Sequence, residues 1–383
     1  MRILFITTKL NFETAGGSIV DLHLKAVSLG ERGHEVSVLT IYSSANHITF
    51  ALPYNLIEEH VKGIGLVQIQ SSIYRILRKQ EGKFDVICVD GQTFLYGAGL
   101  YRLLGGKTPI VGLFNRRLSS WSDSPMRIKA HLRLFLEKTL GTKIANKLDA
   151  FVFGTPQMKE RYQEFGIGLI RDQIIPNAVS TRDLGKRYSI LGSRKEIQSG
   201  SREVQLFAAG RMIPEKRFDL LLNAFAILPQ DGKYKLTIAG NGAEFGMLND
   251  LAKKLGIEDR VTFPGWTKKG ELFDKLNHSD IFIFPGGKNE YSSVLLSEAM
   301  AFALPCIVPG DGALEWQADG GALVFNSGDA GNLAAKIELL SSDHKIMTEL
   351  SEKAYQKAMK DDYHNLADIL EELLKSVQAS VVN

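Results

Sequence analysis

The stretch DIFIFPGGKNEYSSVLLSEAMAFALPCIVPG, residues 280–310, decides how the chain folds. DIFIFP is a short apolar run of strand character, ended by Gly286 and Gly287. Ser292 or Ser293 can cap a helix carrying Val294, Leu295, Leu296, Ala299 and Met300, after which LPCIVPG begins a second apolar run. Strand, loop, helix and strand in this order form the repeating unit of a parallel sheet covered by helices. The same rhythm extends outward in both directions. RILFIT, HEVSVLT, DVICVDG, TPIVGLF, AFVFGT and DQIIPN occupy the first half, and VQLFAAG, YKLTIAG, RVTFPG, DIFIFPG, LPCIVPG and GALVFN the second.

The polar stretch between the two sets, STRDLGKRYSILGSRKEIQSGSRE, is poor in large apolar residues and reads as an interdomain connection or as a surface excursion of one larger domain. A chain of 383 residues is too long for one ordinary core, which favours the connection. The expected division is an N-terminal Rossmann-like domain over 1–180, a linker over 181–203, a C-terminal domain over 204–360 and a terminal helix over 361–383. The terminal helix carries Leu366, Ile369, Leu370, Leu373, Leu374 and Val377 at helical spacing and is expected to pack against the body, on the N-terminal domain.

Composition narrows the function. A net charge of +3 leaves no nucleic-acid footprint at the level of the whole chain. Cys88 and Cys306 sit in or beside apolar runs with neither CxxC nor Cys/His spacing, so they read as buried thiols of a cytoplasmic protein rather than disulfide or zinc ligands. MRILFITT is cut short by Lys9, Asn11 and Glu13 and reads as a first buried strand, not a signal peptide.

Ligands of open parallel sheets bind beyond the carboxyl ends of the strands, where loops lead into helix N-termini. Gly16 and Gly17 precede a helix pattern from about Ser18 to Gly30, with Val20, Leu22, Leu24, Val27 and Leu29 as its apolar set. They are not part of a GxGxxG fingerprint, which leaves a dinucleotide reading unsupported. Arg211 and Lys216 follow VQLFAAG and lead into the pattern Phe218, Leu221, Leu222, Ala224, Phe225. A guanidinium and an ammonium in such a loop suit a diphosphate, although singly they would be ordinary surface cations. Glu290 falls in the loop before the helix and Glu298 on the helix, so the two are not one acid/base pair. Amides around Ser293 to Leu295 suit a phosphate, Glu298 suits paired ribose hydroxyls, and Glu290 suits the group being transferred. Each carboxylate taken alone reads equally as a surface or helix-start charge.

In combination, GR-x4-K, IAGNG, V-x-F-x-G and E-x7-E followed by AMA-x3-LP resemble the retaining glycosyltransferases of family 4, over essentially the whole chain. The resemblance implies the GT-B fold: α/β, two Rossmann-like domains with parallel sheets facing each other across a cleft. It implies a metal-independent hexosyltransferase that moves a sugar from a UDP- or GDP-linked donor to a hydroxyl of a glycan or lipid-linked saccharide, with no cofactor. On this basis Arg211, Lys216, Gly17, Ser293 and Val294 would hold the diphosphate and Glu298 the ribose. Trp266 and Thr267 would lie against the base, Gly16, Tyr291 and Ser292 would form the donor-sugar loop, and Glu290 with Asn115 would act at the reacting sugar.

Three departures stand out. Many members have histidine where Asn115 stands, and a carboxamide cannot act as acid or base near neutral pH. The common E-x-F-G is replaced by Glu290-Tyr291-Ser292-Ser293, and Arg217 occupies a position where glycine is frequent. A nucleotide-sugar epimerase of the same architecture and a non-catalytic sugar-nucleotide or glycan-binding subunit are the rival readings.

On the acceptor side, Arg116, Arg117 and Trp121 in NRRLSSW suit a sugar or phosphorylated glycan, with an exposed basic loop as the even alternative. The basic amphipathic segment 124–147 suits an anionic inner-membrane surface, or a helix packed on its domain with its cations solvated, which the diluting Glu137 favours.

Overall fold

The computed structural model describes residues 1–13, 17–62, 66–115, 135–182, 184, 203–287, 290–310 and 312–382. Gly16, Arg116, Arg117, Trp121, the first part of the basic segment and most of the connection over 181–203 lie outside the described residues. The chain forms two compact units, one of Met1–Ala178 with Tyr363–Asn383 and one of Val179–Asp362.

In the first unit, β1 (Arg2–Thr7), β2 (Glu35–Thr40), β3 (Asn55–Glu58), β4 (Val86–Asp90), β5 (Ile110–Phe114), β6 (Ala150–Phe153) and β7 (Asp172–Ile174) form a sheet in the order β3-β2-β1-β4-β5-β6-β7. Every neighbouring pair is parallel. The order reverses between β1 and β4, which is the doubly wound topology. Strands buried on both faces account for their unbroken apolar runs: Ile3, Leu4, Phe5, Val86, Ile87, Cys88, Val111 and Phe151 are fully buried. β3 escapes sequence reading because NLIE is a half-exposed edge strand without such a run.

The helix Gly17–Glu31 follows β1, and its buried face differs from its apolar set. Leu22 and Leu29 point inward as expected, but Ile19, Ala26, Asp21 and Lys25 do so too, while Val20, Leu24 and Val27 are only half-buried. The terminal helix Tyr363–Val382 belongs to this unit, burying Leu366, Leu370, Leu373, Leu374 and Val377 in the same cluster as Ile3, Phe5 and Leu22. Ile369 remains exposed. Arg32 ties the helix down through Asp368 at 2.6 Å, Glu371 at 3.1 Å and the His364 carbonyl at 2.7 Å.

In the second unit, β8 (Val204–Ala209), β9 (Tyr234–Ala239), β10 (Val261–Thr262), β11 (Ile281–Ile283), β12 (Cys306–Pro309) and β13 (Ala322–Phe325) form a parallel sheet in the order β10-β9-β8-β11-β12-β13, which reverses between β8 and β11. The unit begins at Val179, ahead of the polar connection. Val179 and Leu184 are buried with Phe282 and Leu296, and Thr181 donates its amide to Asp362 at 2.9 Å. Both cysteines are free and buried, and burial pushes the Cys88 thiol up to about 12.

Candidate active site

β8 and β11 are neighbours at the reversal of strand order, so the loops that follow them emerge side by side at the carboxyl edge of the second sheet. These are the loops that carry Arg211, Lys216 and Glu290. Lys216 Nζ lies 2.9 Å from Glu290 Oε1 and 4.9 Å from the centre of the Phe284 ring, and both charged side chains are more than four-fifths buried. Gly286 lets the loops touch, since a Cβ there would stand 3.3 Å from the Glu215 carbonyl oxygen and 3.5 Å from Glu290 Cγ.

The segment bearing Arg211 and Lys216 is fixed by its neighbour after β9. Gly210 and Met212 donate to the carbonyls of Ala239 and Asn241 at 3.0 and 2.9 Å, and Glu244 donates back to Met212 at 3.0 Å. This closeness explains the IAGNG motif. A Cβ on Gly240 would fall 1.9 Å from the Gly210 carbonyl oxygen, and one on Gly242 would fall 2.3 Å from that of Met212. Arg211 itself is exposed. Arg217 adopts left-handed backbone angles (φ 51°, ψ 38°), the region that favours glycine, so the structure supplies the reason a glycine suits this position.

Ser293, rather than Ser292, caps the helix Val294–Ala301, its Oγ accepting from the Leu296 amide at 3.1 Å. The buried Gln317 clamps this cap. Its carboxamide oxygen accepts from the Ser293 amide at 2.9 Å, and its nitrogen donates to the Ser293 carbonyl at 2.6 Å and to Ser297 Oγ at 2.8 Å. The Ser293 amide expected to face a phosphate is thus already engaged by Gln317, and the first-turn amides that the helix itself cannot satisfy are those of Val294 and Leu295. Tyr291 and Ser292 are half-buried in the preceding loop.

One turn into that helix, Glu298 is buried and stands 3.5 Å from Lys269, the first residue of the helix Lys269–Asn277. Burial holds its carboxyl above the usual carboxylate range, and the nearby ammonium, itself half-exposed, only partly offsets this. Lys269 follows Trp266 and Thr267, so the two groups assigned to base and ribose adjoin each other. Trp266 is 49% exposed, and Thr267 Oγ1 donates to the Gly265 carbonyl at 3.2 Å.

The raised value of Glu298 has a thermodynamic consequence. A carboxyl whose folded pKa exceeds its unfolded one contributes stability below the unfolded value, about 4.3, and loses it as pH rises through the folded value. Glu298→Gln removes that loss. Its melting temperature should equal or exceed wild type at neutral pH, with the advantage shrinking as pH approaches 4, while nucleotide-induced stabilisation falls. A thermal-shift series across pH, with and without nucleotide, reads both effects. A variant less stable at neutral pH than in acid, relative to wild type, would contradict the burial argument.

In the first unit, Gly17 starts its helix and Asn115 follows β5 directly. Asn115 Nδ2 donates to the Asp21 carboxylate, which also accepts from Lys25 Nζ at 2.5 Å and from the Ala178 amide at 2.8 Å. Sequence reading overlooked Asp21, Lys25, Gln317 and Lys269. The i, i+4 spacing of Asp21 and Lys25 was visible, but such pairs usually mark a solvated face.

Comparison with known proteins agrees with this architecture. Residues 16–183 match the model of Glycosyltransferase Family 4, and residues 192–357 match that of Glycosyl transferases group 1. A lipopolysaccharide core biosynthesis glycosyltransferase of Rhizobium meliloti, LpsE, is 29% identical over 54% of this chain and 58% of its own length. An uncharacterized glycosyltransferase of Haemophilus influenzae is 26% identical over 95% of this chain and 96% of its own. The crystal structure of HepE from Anabaena in complex with UDP superimposes with a TM-score of 0.74 at 16% identity, covering 98% of this chain and all of that one. With family models matched across both halves of a doubly wound pair of units, the chain belongs to the family 4 type of glycosyltransferase and has the GT-B fold.

Proposed function

We propose that the protein transfers a hexose-type sugar, with retention of configuration, from a nucleoside-diphosphate sugar to a hydroxyl of a glycan or lipid-linked saccharide in polysaccharide or glycolipid assembly. The observation that carries this reading is the Lys216–Glu290 pair at the reversal of strand order, where a cation suited to the diphosphate and a carboxylate suited to the sugar meet at the carboxyl edge of one sheet. Lys216, Arg211 and the first-turn amides of Val294 and Leu295 supply the countercharge to the leaving diphosphate without a metal. Glu290 stabilises the developing positive charge on the sugar, and Glu298 accepts from the ribose hydroxyls. Asn115 takes no proton, so the leaving phosphate itself receives the acceptor's proton. The Anabaena neighbour, crystallised with UDP, favours a uridine donor, and the Rhizobium relative favours a lipopolysaccharide-like acceptor.

Contact with a membrane surface forms part of this reading. No described helix is long and apolar enough to cross a membrane. The described part of the basic segment, however, exposes Phe135, Leu136 and Leu140 beside Lys138, Lys143 and Lys147. The protein is expected to float with anionic vesicles at low salt and to be released at high salt. Failure to float at low salt removes the membrane contact.

The transferase reading is tested by incubating the protein with UDP- and GDP-sugars and lipid-linked saccharides, then determining the anomeric configuration of the product by NMR. A product with the donor's configuration is expected. An inverted product overturns retention, and a 4- or 2-epimer of the donor sugar would point to an epimerase.

A further inference from the structure

Two demands on Glu298 conflict. Paired ribose hydroxyls are held best by an ionised carboxylate, which only accepts and whose hydrogen bonds are charge-assisted. Burial opposes that form and holds the carboxyl above the usual carboxylate range. Among the described residues, the charged group that acts against burial is Lys269, whose Nζ lies 3.5 Å from Glu298 Oε1. The pair borders solvent rather than being sealed, since the Glu298 side chain is 10% exposed and that of Lys269 53%. The helix does not explain why a lysine stands here. Lys269 is the first residue of the helix Lys269–Asn277, where the macrodipole favours an acid such as Glu271 and disfavours a cation. Its ammonium also lies 5.2 Å from the centre of the Phe273 ring, a contact that helps to fix where the charge sits. The placement costs the helix a little and serves the neighbouring carboxylate.

We infer that Lys269 is a positioning residue that keeps Glu298 an ionised acceptor for the two ribose hydroxyls of the donor nucleotide. The inference rests on the assignment of Glu298 to the ribose. Lys269 needs no contact with the nucleotide to act in this way. Without its charge, Glu298 takes up a proton at a higher pH, and a neutral carboxyl holds the hydroxyls more weakly.

The test is calorimetric titration of UDP and GDP, and of their 2′,3′-dideoxy counterparts, from about pH 5 to about pH 8 with wild type, Lys269→Met and Lys269→Arg. Methionine keeps an apolar stem beside Phe273 and removes only the charge. In wild type, affinity for the ribonucleotide should fall as pH drops through the Glu298 value. In Lys269→Met the fall should begin at a higher pH and reach about 10-fold where wild type still binds fully, while Lys269→Arg follows wild type. The dideoxy nucleotides carry the same phosphates without the hydroxyls, so they should bind all three proteins alike at each pH. With Glu298→Gln already in place, Lys269→Met should cause no further loss. Equal weakening of both kinds of nucleotide by Lys269→Met, or an unmoved pH profile, would overturn the inference. A second readout needs no nucleotide. The side-chain carboxyl carbon resonance of Glu298, identified by its disappearance in Glu298→Gln, should titrate at a higher pH in Lys269→Met than in wild type, and identical titrations would refute the coupling. A wild-type protein that binds neither nucleotide would defeat the donor-site reading, whereas the carboxyl titration would still decide whether Lys269 holds the charge on Glu298.

Discussion

Replacing Glu290 by glutamine is expected to lower turnover by about 10²- to 10³-fold, the loss seen when one preorganised electrostatic contact to a transition state is removed. The substitution keeps the shape of the side chain and its place beside Lys216 and Gly286. The ground-state donor carries little charge on the sugar ring, so its affinity should change little. An effect confined to kcat is the mark of an interaction made only in the transition state. Steady-state kinetics separate the two quantities. If the variant instead raised KM at unchanged kcat, Glu290 would be a binding residue and the assignment of its charge to the reacting sugar would fail.

Lys216→Ala is expected to act on the other quantity. The ammonium lies over the Phe284 ring and is 17% exposed, so a phosphate meeting it is partly shielded from water. Charge-assisted hydrogen bonds of this kind contribute about 1.5–3 kcal/mol, which corresponds to roughly 10- to 150-fold in Kd. Truncation also leaves Glu290 without its counterion, and the bare carboxylate then repels the diphosphate. Calorimetric titration with the nucleoside diphosphate should show the full loss, and should show almost none for Glu290→Gln. Equal affinities for wild type and Lys216→Ala would remove the diphosphate from this loop.

Much of the fold was legible because parallel strands buried on both faces leave unbroken apolar runs, and the runs around Phe5, Cys88, Phe207 and Ile307 all became central strands. NLIE was missed because an edge strand does not need to be apolar. The meeting of Lys216 and Glu290 was legible for a related reason. Both stand in loops that follow neighbouring strands, where the βαβ topology delivers side chains to one edge, so order along the chain translates into proximity.

The buried polar contacts were not legible. Asp21 and Lys25 have the spacing of an ordinary surface pair, and only the tertiary packing of their helix turns them inward against Asn115 and Ala178. Gln317 reaches Ser293 from a helix that follows the next strand, a pairing no local pattern encodes. Arg217 illustrates a middle case. Sequence shows a cation where glycine is frequent, and the left-handed backbone at that residue supplies the reason.

Whether Glu290 serves a donor sugar is decided by nucleotide release from a panel of nucleoside-diphosphate sugars in the absence of acceptor, comparing wild type with Glu290→Gln and following donor binding by calorimetry in the same samples. Slow release from one or two donors by wild type, lower release by the variant, and similar donor binding by both are expected. A wild-type protein that neither releases nucleotide from any donor nor binds one would contradict the transferase reading and leave a non-catalytic role for the same fold.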